Sequence, residues 1–266
     1  MFITQLKRYS SVVWQLVLTD LMIFRPAVFG SMIDTAISTL LLVGTMAYVM
    51  PLLGLTQDYG PFAAWGSIPS ACFFELYGLV MVLVSDVRTD KSIFSRFILP
   101  IPTYLVFVAK ALAYACKITA NALVAALIGV GMLAIGGRLD LTYFSLWKLL
   151  IAIVCITLFT GFFVLFLTSL TKDIYHLNSV WTRILHPLWY LGGAQFSWQT
   201  TAAFSPILGY ICLLNPIMYL TEGIHAATLD QAKYLNFWAC MAIIVVLTFL
   251  FGAIGIRLLK RQLQWV

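Results

Sequence analysis

Long apolar runs separated by short polar clusters organise this chain. A hydrocarbon layer roughly 30 Å thick is crossed by about 20 mostly apolar helical residues. On that measure the pattern predicts six crossings: residues 28–53, 62–84, 104–135, 146–170, 177–196 and 235–258. The breaks between them are polar or helix-stopping: residues 57–61, the charged run 86–91, Gly136-Gly137-Arg138, and Thr171-Lys172-Asp173. The predicted fold class is an all-α integral membrane protein, a single transmembrane domain over residues 1–266.

Three stretches depart from the spanning pattern. Residues 1–25 interleave Lys7, Arg8, Gln15 and Asp20 with apolar positions and carry no small-residue cleavage site. They predict an amphipathic helix lying in the headgroup plane and ending at the Arg25-Pro26 break. In residues 91–103, Ile93, Phe94, Phe97 and Ile98 recur at helical spacing beside Ser92, Ser95 and Arg96, and Pro100 and Pro102 stop the pattern. That predicts a short amphipathic helix, too short to span. Within residues 200–234 a moderately apolar run is interrupted by Asn215-Pro216, which predicts a re-entrant pair of half-helices.

Composition excludes a water-soluble domain, since 62% of residues are hydrophobic and only 10% charged. The formal charge of +6 does not point to nucleic acid, because the basic residues lie at the ends of apolar runs, where they act as topology signals. Lys7, Arg8, Arg25, Arg88, Lys91, Arg96, Lys172, Arg257, Lys260 and Arg261 fall on one side of the predicted crossings, against Arg138, Lys148 and Lys233 on the other. Positive residues are retained in the cytoplasm, so both termini and residues 91–103 are expected there.

The chain has no G-x-x-x-x-G-K-[ST] phosphate loop, no H-E-x-x-H pair and no G-x-S-x-G elbow. No cofactor or metal is expected in it, and any ATP and magnesium must be bound by another polypeptide. Its five cysteines lie in apolar runs without metal-ligand spacing. The remaining candidates are ionisable residues inside predicted crossings, each costly in hydrocarbon unless paired or facing water: Glu75, Lys110, Lys117, Arg183 and His186. Glu75 and Lys117 lie at matching depth, on the order of 15 to 20 Å from the same end of their helices, and are expected to pair. Glu75 with Arg183 is the alternative, and either pair serves as a structural clamp or in handling substrate. Arg183 and His186, three apart, are expected on one helix face, in reach of phosphate groups. Trp189 and Tyr190 belong to an aromatic-dense stretch that reads as an interfacial belt or as stacking surface for sugars or acyl chains.

The order of these parts resembles the type-2 ABC exporter permeases, and the resemblance covers nearly the whole chain. It is most specific in Ser95-Arg96-Phe97-Ile98-Leu99-Pro100-Ile101-Pro102-Thr103, and in His186-Pro187-Leu188-Trp189-Tyr190 followed by Leu214-Asn215-Pro216-Ile217-Met218-Tyr219. The resemblance implies a dimer of permeases in a bacterial inner membrane, surrounded by lipid, each copy docking a cytoplasmic ATPase. It implies coupling through Ser92, Phe94, Arg96, Phe97, Pro100 and Pro102, and a structural motif at Asn215, Pro216 and Tyr219. Glu75, Lys117, Arg183, His186, Trp189, Tyr190 and Glu222 become candidates for the substrate path. Glu222 resembles an acidic position of glycan exporters, whereas Tyr190-Leu191-Gly192-Gly193 is similar to drug and lipid exporters. An intramembrane enzyme built on His176, Arg183, His186 and Glu75, and a passive channel, are the competing classes.

Overall fold

A computed structural model describes residues 2–54 and 59–263, with side chains from Tyr9 onward. Among these residues the chain is all-helical. Five helices are long and apolar enough to cross a membrane: Tyr9–Leu52, Tyr59–Thr89, Thr103–Ile135, Leu146–Leu170 and Phe237–Leu263. Pro206–Leu213 and Pro216–Thr228, bent by 96°, make a sixth path if the pair is counted as one. This architecture is compatible with a multi-pass membrane protein.

Helix α1 runs without interruption over Phe2–Gly44 and passes straight through Pro26. The expected break at Arg25-Pro26, and with it a separate interfacial helix over residues 1–25, is therefore corrected. Proline removes one intrahelical hydrogen bond, but neighbouring helices hold the chain on either side of it. The inward positions explain that support: Asp20, Phe24, Thr35, Thr39, Val43 and Ala47 are buried and recur at helical spacing. Phe29, Ile33, Ile37 and Leu41 are large, apolar and exposed, as lipid-facing residues are.

Helix α2 (Tyr59–Val84) and the short α3 (Phe94–Phe97) lead to α4 (Thr103–Ile135) and α5 (Leu146–Leu170). Helices α2 and α5 are the most enclosed of the long helices, and α1 packs along α4 and α2. The small residues Ala109, Ala113 and Ala122 are fully buried on α4. Gly161 of α5 sits so close to the backbone of Ala111 that a methyl group there would collide with its carbonyl. Such contacts let helices approach closely in a setting where lipid is as apolar as leucine.

The expected crossing over residues 177–196 is not present as a single long helix. A 3₁₀ turn (Ile174–His176) leads into α6 (Leu177–Val180), a π-helical turn (Trp181–Leu185) and α7 (His186–Tyr190). That run is about 25 Å long at 1.5 Å per residue. Gly193, at φ 76°, then turns the chain through a conformation that side chains disfavour. The π turn closes on the N–H of His186, which bonds to the Trp181 carbonyl immediately before Pro187, a residue with no N–H to offer. The same device precedes Pro51, where Met50 closes the π turn Thr45–Val49.

Helices α8 (Trp198–Phe204), α9 (Pro206–Leu213) and α10 (Pro216–Thr228) come before the last helix, α11 (Phe237–Leu263). The two half-helices expected on either side of Asn215-Pro216 are present as α9 and α10. Asn215 caps α10 by accepting the Ile217 N–H at 3.0 Å, while its own amide donates to the Leu188 carbonyl at 2.6 Å. One buried side chain thus holds the bend against the end of α7.

Candidate functional site

A seam of charged side chains begins where residues 91–102 meet the bundle. Arg96 donates to both carboxylate oxygens of Asp20, each at 2.6 Å, the two-pronged geometry that a planar guanidinium favours. Lys110 of α4 bridges Asp20 at 3.3 Å and Asp86 at 2.7 Å. Asp86 also accepts the Ser92 hydroxyl at 2.8 Å, and its carbonyl accepts the Ile93 N–H at 3.3 Å. Asp20 is fully buried and Lys110 nearly so, which requires each charge to be met by another.

The expected helix in this segment is shorter than its pattern suggests. Only Phe94–Phe97 is helical, and Pro102 is the N-cap of α4 rather than the stop of α3. Apolar packing holds the segment instead: Phe97 lies 5.8 Å from Phe94 and 6.0 Å from Phe107 between ring centres, and Ile93 is buried. Lys91 enters the segment at φ 53°, an uncommon conformation for a residue with a side chain. Ser92 and Pro100 are exposed.

Above this junction Phe24 packs against Tyr114 at 5.6 Å, and the ammonium groups of Lys110 and Lys117 each lie 5.8 Å from the Phe24 ring. Lys117 then pairs with one oxygen of Glu75. The other oxygen accepts the Ser31 hydroxyl at 2.8 Å and the Asn121 amide at 3.0 Å. The seam therefore follows one stripe of α4 through Lys110, Tyr114, Lys117 and Asn121, positions four, three and four apart. Its three acids, Asp20, Asp86 and Glu75, are met by three bases, Arg96, Lys110 and Lys117.

Glu75 also lines an open groove of about 510 Å³ between α1 and α2, with Ser31, Asp34, Thr35, Ser38 and Phe74. Asp34 is exposed on this face, an arrangement that favours water or a polar partner over hydrocarbon. Phe74 joins the groove to a strip of aromatic rings: it lies 6.2 Å from Trp181 and 5.3 Å from Trp189. Trp189 in turn lies 4.8 Å from Tyr190, and His186 lies 5.1 Å from Trp181.

The expected path residues are thus distributed unevenly. Glu75 and Lys117 form the anticipated pair, and Glu75 makes no ion pair with Arg183 among the described residues. Trp189, Tyr190 and His186 belong to the aromatic strip. Arg183 lies within the π turn and is exposed, whereas His186, which follows that turn, is half-buried. Glu222 lies elsewhere. It is fully buried, and its two oxygens accept the N–H groups of Trp198 at 2.7 Å and Leu235 at 2.9 Å, tying the start of α8 to the approach to α11. Tyr219 donates to the Leu213 carbonyl at 2.8 Å across the bend, and Pro216 is buried.

His176 pairs with Asp173 at 2.7 Å rather than meeting Glu75. At this exposed turn the hydrogen bond from the His176 ring, followed by its backbone N–H, holds the Asp173 carboxyl below its ordinary range. No group of His, Cys, Asp or Glu among the described residues is arranged to hold a metal ion.

Sequence reasoning missed Asp20 and Asp86 as partners of residues 91–102, Asn121 as a donor to Glu75, and Ser31 and Phe74 as parts of the groove. The available signal was Asp20 set in an otherwise apolar stretch, with Lys110 as a second intramembrane charge needing an acid. No protein-family model matches this chain, and no curated protein matches it significantly in sequence.

Proposed function

We propose that this chain is the membrane-spanning subunit of an ATP-driven exporter, a permease of the type-2 ABC kind whose ATPase is a separate polypeptide. The observation that carries the reading is the seam itself. A short segment outside the long helices is clamped by Arg96 to α1 and by Ser92 to Asp86, and the same line of charges continues along α4 to the groove at Glu75. A push on residues 91–102 by a bound ATPase is then transmitted through paired charges to the face that handles substrate.

In this reading both termini lie in the cytoplasm of a bacterium, and residues 200–234 enter the bilayer from the far side as a re-entrant element. A second copy covers the α1 groove, whose exposed Asp34 and hydroxyl groups are poorly suited to lipid. The polar groove beside rings at Phe74, Trp181, Trp189 and Tyr190 favours an amphipathic substrate, a glycan or lipid-linked glycan, because sugars offer hydroxyls to the one and flat C–H faces to the other. Efflux of small drugs by the same architecture is the alternative substrate class. An intramembrane enzyme is less favoured, because both oxygens of Glu75 are engaged and His176 is bound elsewhere.

Co-purification of the tagged chain from native membranes, followed by an ATPase assay, tests this. A copurifying nucleotide-binding subunit is expected, with substrate-stimulated hydrolysis lost in Arg96→Gln while the permease dimer survives. A chain that purifies alone and without ATPase activity overturns the reading.

A further inference from the structure

The last helix carries a feature that the exporter reading does not use. Lys260 and Arg261 follow Arg257 by three and four positions, on the same side of α11 near its C-terminal end. With Tyr104 at the start of α4 they line an open cavity of about 620 Å³ that contains no carboxylate. Gln262 points elsewhere, accepting from Arg88 at 3.0 Å and donating to the Ser169 carbonyl at 2.9 Å. Three cations thus converge without a counter-charge among the described residues.

A second cavity, about 480 Å³, adjoins the first and shares Ala253 and Ile256 with it. It runs between α4, α5 and α11 and is lined by Val108, Leu158, Phe162 and Phe249, with Thr248 as its single hydroxyl. Gly252 keeps it open at α11, since a methyl there would lie 2.8 Å from the Phe162 ring. From Lys260 to Val245 the helix rises roughly 22 Å at 1.5 Å per residue, enough for one leaflet's acyl region.

We infer that the two cavities form one binding site for an anionic phospholipid of the bilayer, its phosphate on Arg257, Lys260 and Arg261 and an acyl chain in the apolar groove. Charge complementarity and the shared wall at Ala253 and Ile256 choose this occupant. A neutral lipid would leave three cations unmet, and a free phosphate would leave the groove unused. The site lies in the leaflet on the side of the C-terminus, and the assignment does not depend on the exporter reading.

Native mass spectrometry of the full chain in a mild detergent tests the site, using phosphatidylglycerol and phosphatidylcholine of the same acyl composition. Retention of phosphatidylglycerol over phosphatidylcholine is expected. Arg257→Gln/Lys260→Gln/Arg261→Gln should weaken phosphatidylglycerol binding on the order of a hundredfold, since each basic residue near an anionic lipid contributes about a fivefold factor. Thr248→Trp, at a position that lines only the apolar groove, closes the groove, leaves the cations and should weaken it as well. Equal retention of both lipids, or unchanged retention in the triple variant, overturns the site. Competition by inorganic phosphate as strong as by the lipid, with Thr248→Trp silent, overturns the acyl groove and leaves a free-phosphate site. If the triple variant does not fold, Arg257→Gln alone carries the test, with about a fivefold loss expected.

Discussion

Arg96 binds Asp20 through two hydrogen bonds of 2.6 Å across 76 positions of sequence. Asp20 is fully buried, so replacing it leaves Arg96 and Lys110 competing for Asp86. Breaking a buried pair from one side costs about 3 kcal/mol. Asp20→Asn should lose that much in reversible unfolding from detergent. Asp20→Asn/Arg96→Gln should lose less than the sum of the single variants, whereas strict additivity in the cycle would show the pair to be uncoupled.

The Glu75 and Lys117 pair lies further along α4, beside the open groove. Lys117→Met leaves a carboxylate that still has Ser31 and Asn121 as donors, while Glu75→Gln leaves the Lys117 ammonium without a counter-charge, beside a neutral amide and the Phe24 ring. Glu75→Gln should therefore be the more damaging, by about 1 to 2 kcal/mol in the same unfolding measurement. The reverse order would show that Lys117, not Glu75, is the better solvated partner.

Asn215 has two separable duties, and two substitutions divide them. Asn215→Asp keeps the acceptor for the Ile217 N–H but loses the donor to the Leu188 carbonyl. Asn215→Ala loses both and should cost about 1 kcal/mol more, the usual worth of an N-cap. Thermal scans of the two variants side by side give the comparison, and equal losses would mean that the cap is idle.

Close packing makes glycine necessary at Gly161 and Gly255 and optional at Gly30. A methyl at Gly255 would lie 2.6 Å from the Phe166 backbone nitrogen, whereas one at Gly30 meets nothing within 4 Å. Gly161→Val and Gly255→Val should each lower the yield of folded protein severalfold in gel filtration, since the helices must move apart. Gly30→Ala should be neutral or slightly stabilising.

Acid should loosen the turn at Asp173 first. Its carboxyl is held below the ordinary value of 3.8 when folded, so its contribution is complete above that pH and is lost as pH falls through the depressed value. Amide exchange at His176, whose N–H bonds to Asp173 at 2.9 Å, should accelerate below about pH 4, and Asp173→Asn should remove the pH dependence.

The helices over residues 104–135 and 146–170 stand within one residue of their sequence-predicted limits. Asn215-Pro216 likewise announced its bend, because capping by asparagine and the missing proline N–H act on nearest neighbours. Pro26 obeyed the same local rule and the rule lost, because α1 is braced along its length by α4 and α2. Residues 177–196 failed as one crossing for the opposite reason. Pro187, the π turn before it and the Gly192-Gly193 turn shorten a run that hydropathy alone cannot distinguish from a full span.

The groove and the seam were only partly legible. Each ionisable residue in an apolar run announced that it needed a partner, and matched depth pointed correctly from Glu75 to Lys117. Depth could not pair Asp20 with Arg96, since that match depends on how the segment after α2 folds back onto α1.

By itself the sequence determined that the chain is built of long apolar helices, the limits of those over residues 103–135 and 146–170, and which charges must be compensated, because hydrophobic length and desolvation cost are properties of local segments. Only the tertiary structure decided which acid meets which base, whether a proline breaks its helix, and which faces adjoin to make the groove at Glu75 and the basic site at Arg257. Those outcomes depend on the register between helices far apart in the chain, which side-chain packing sets and residue type does not.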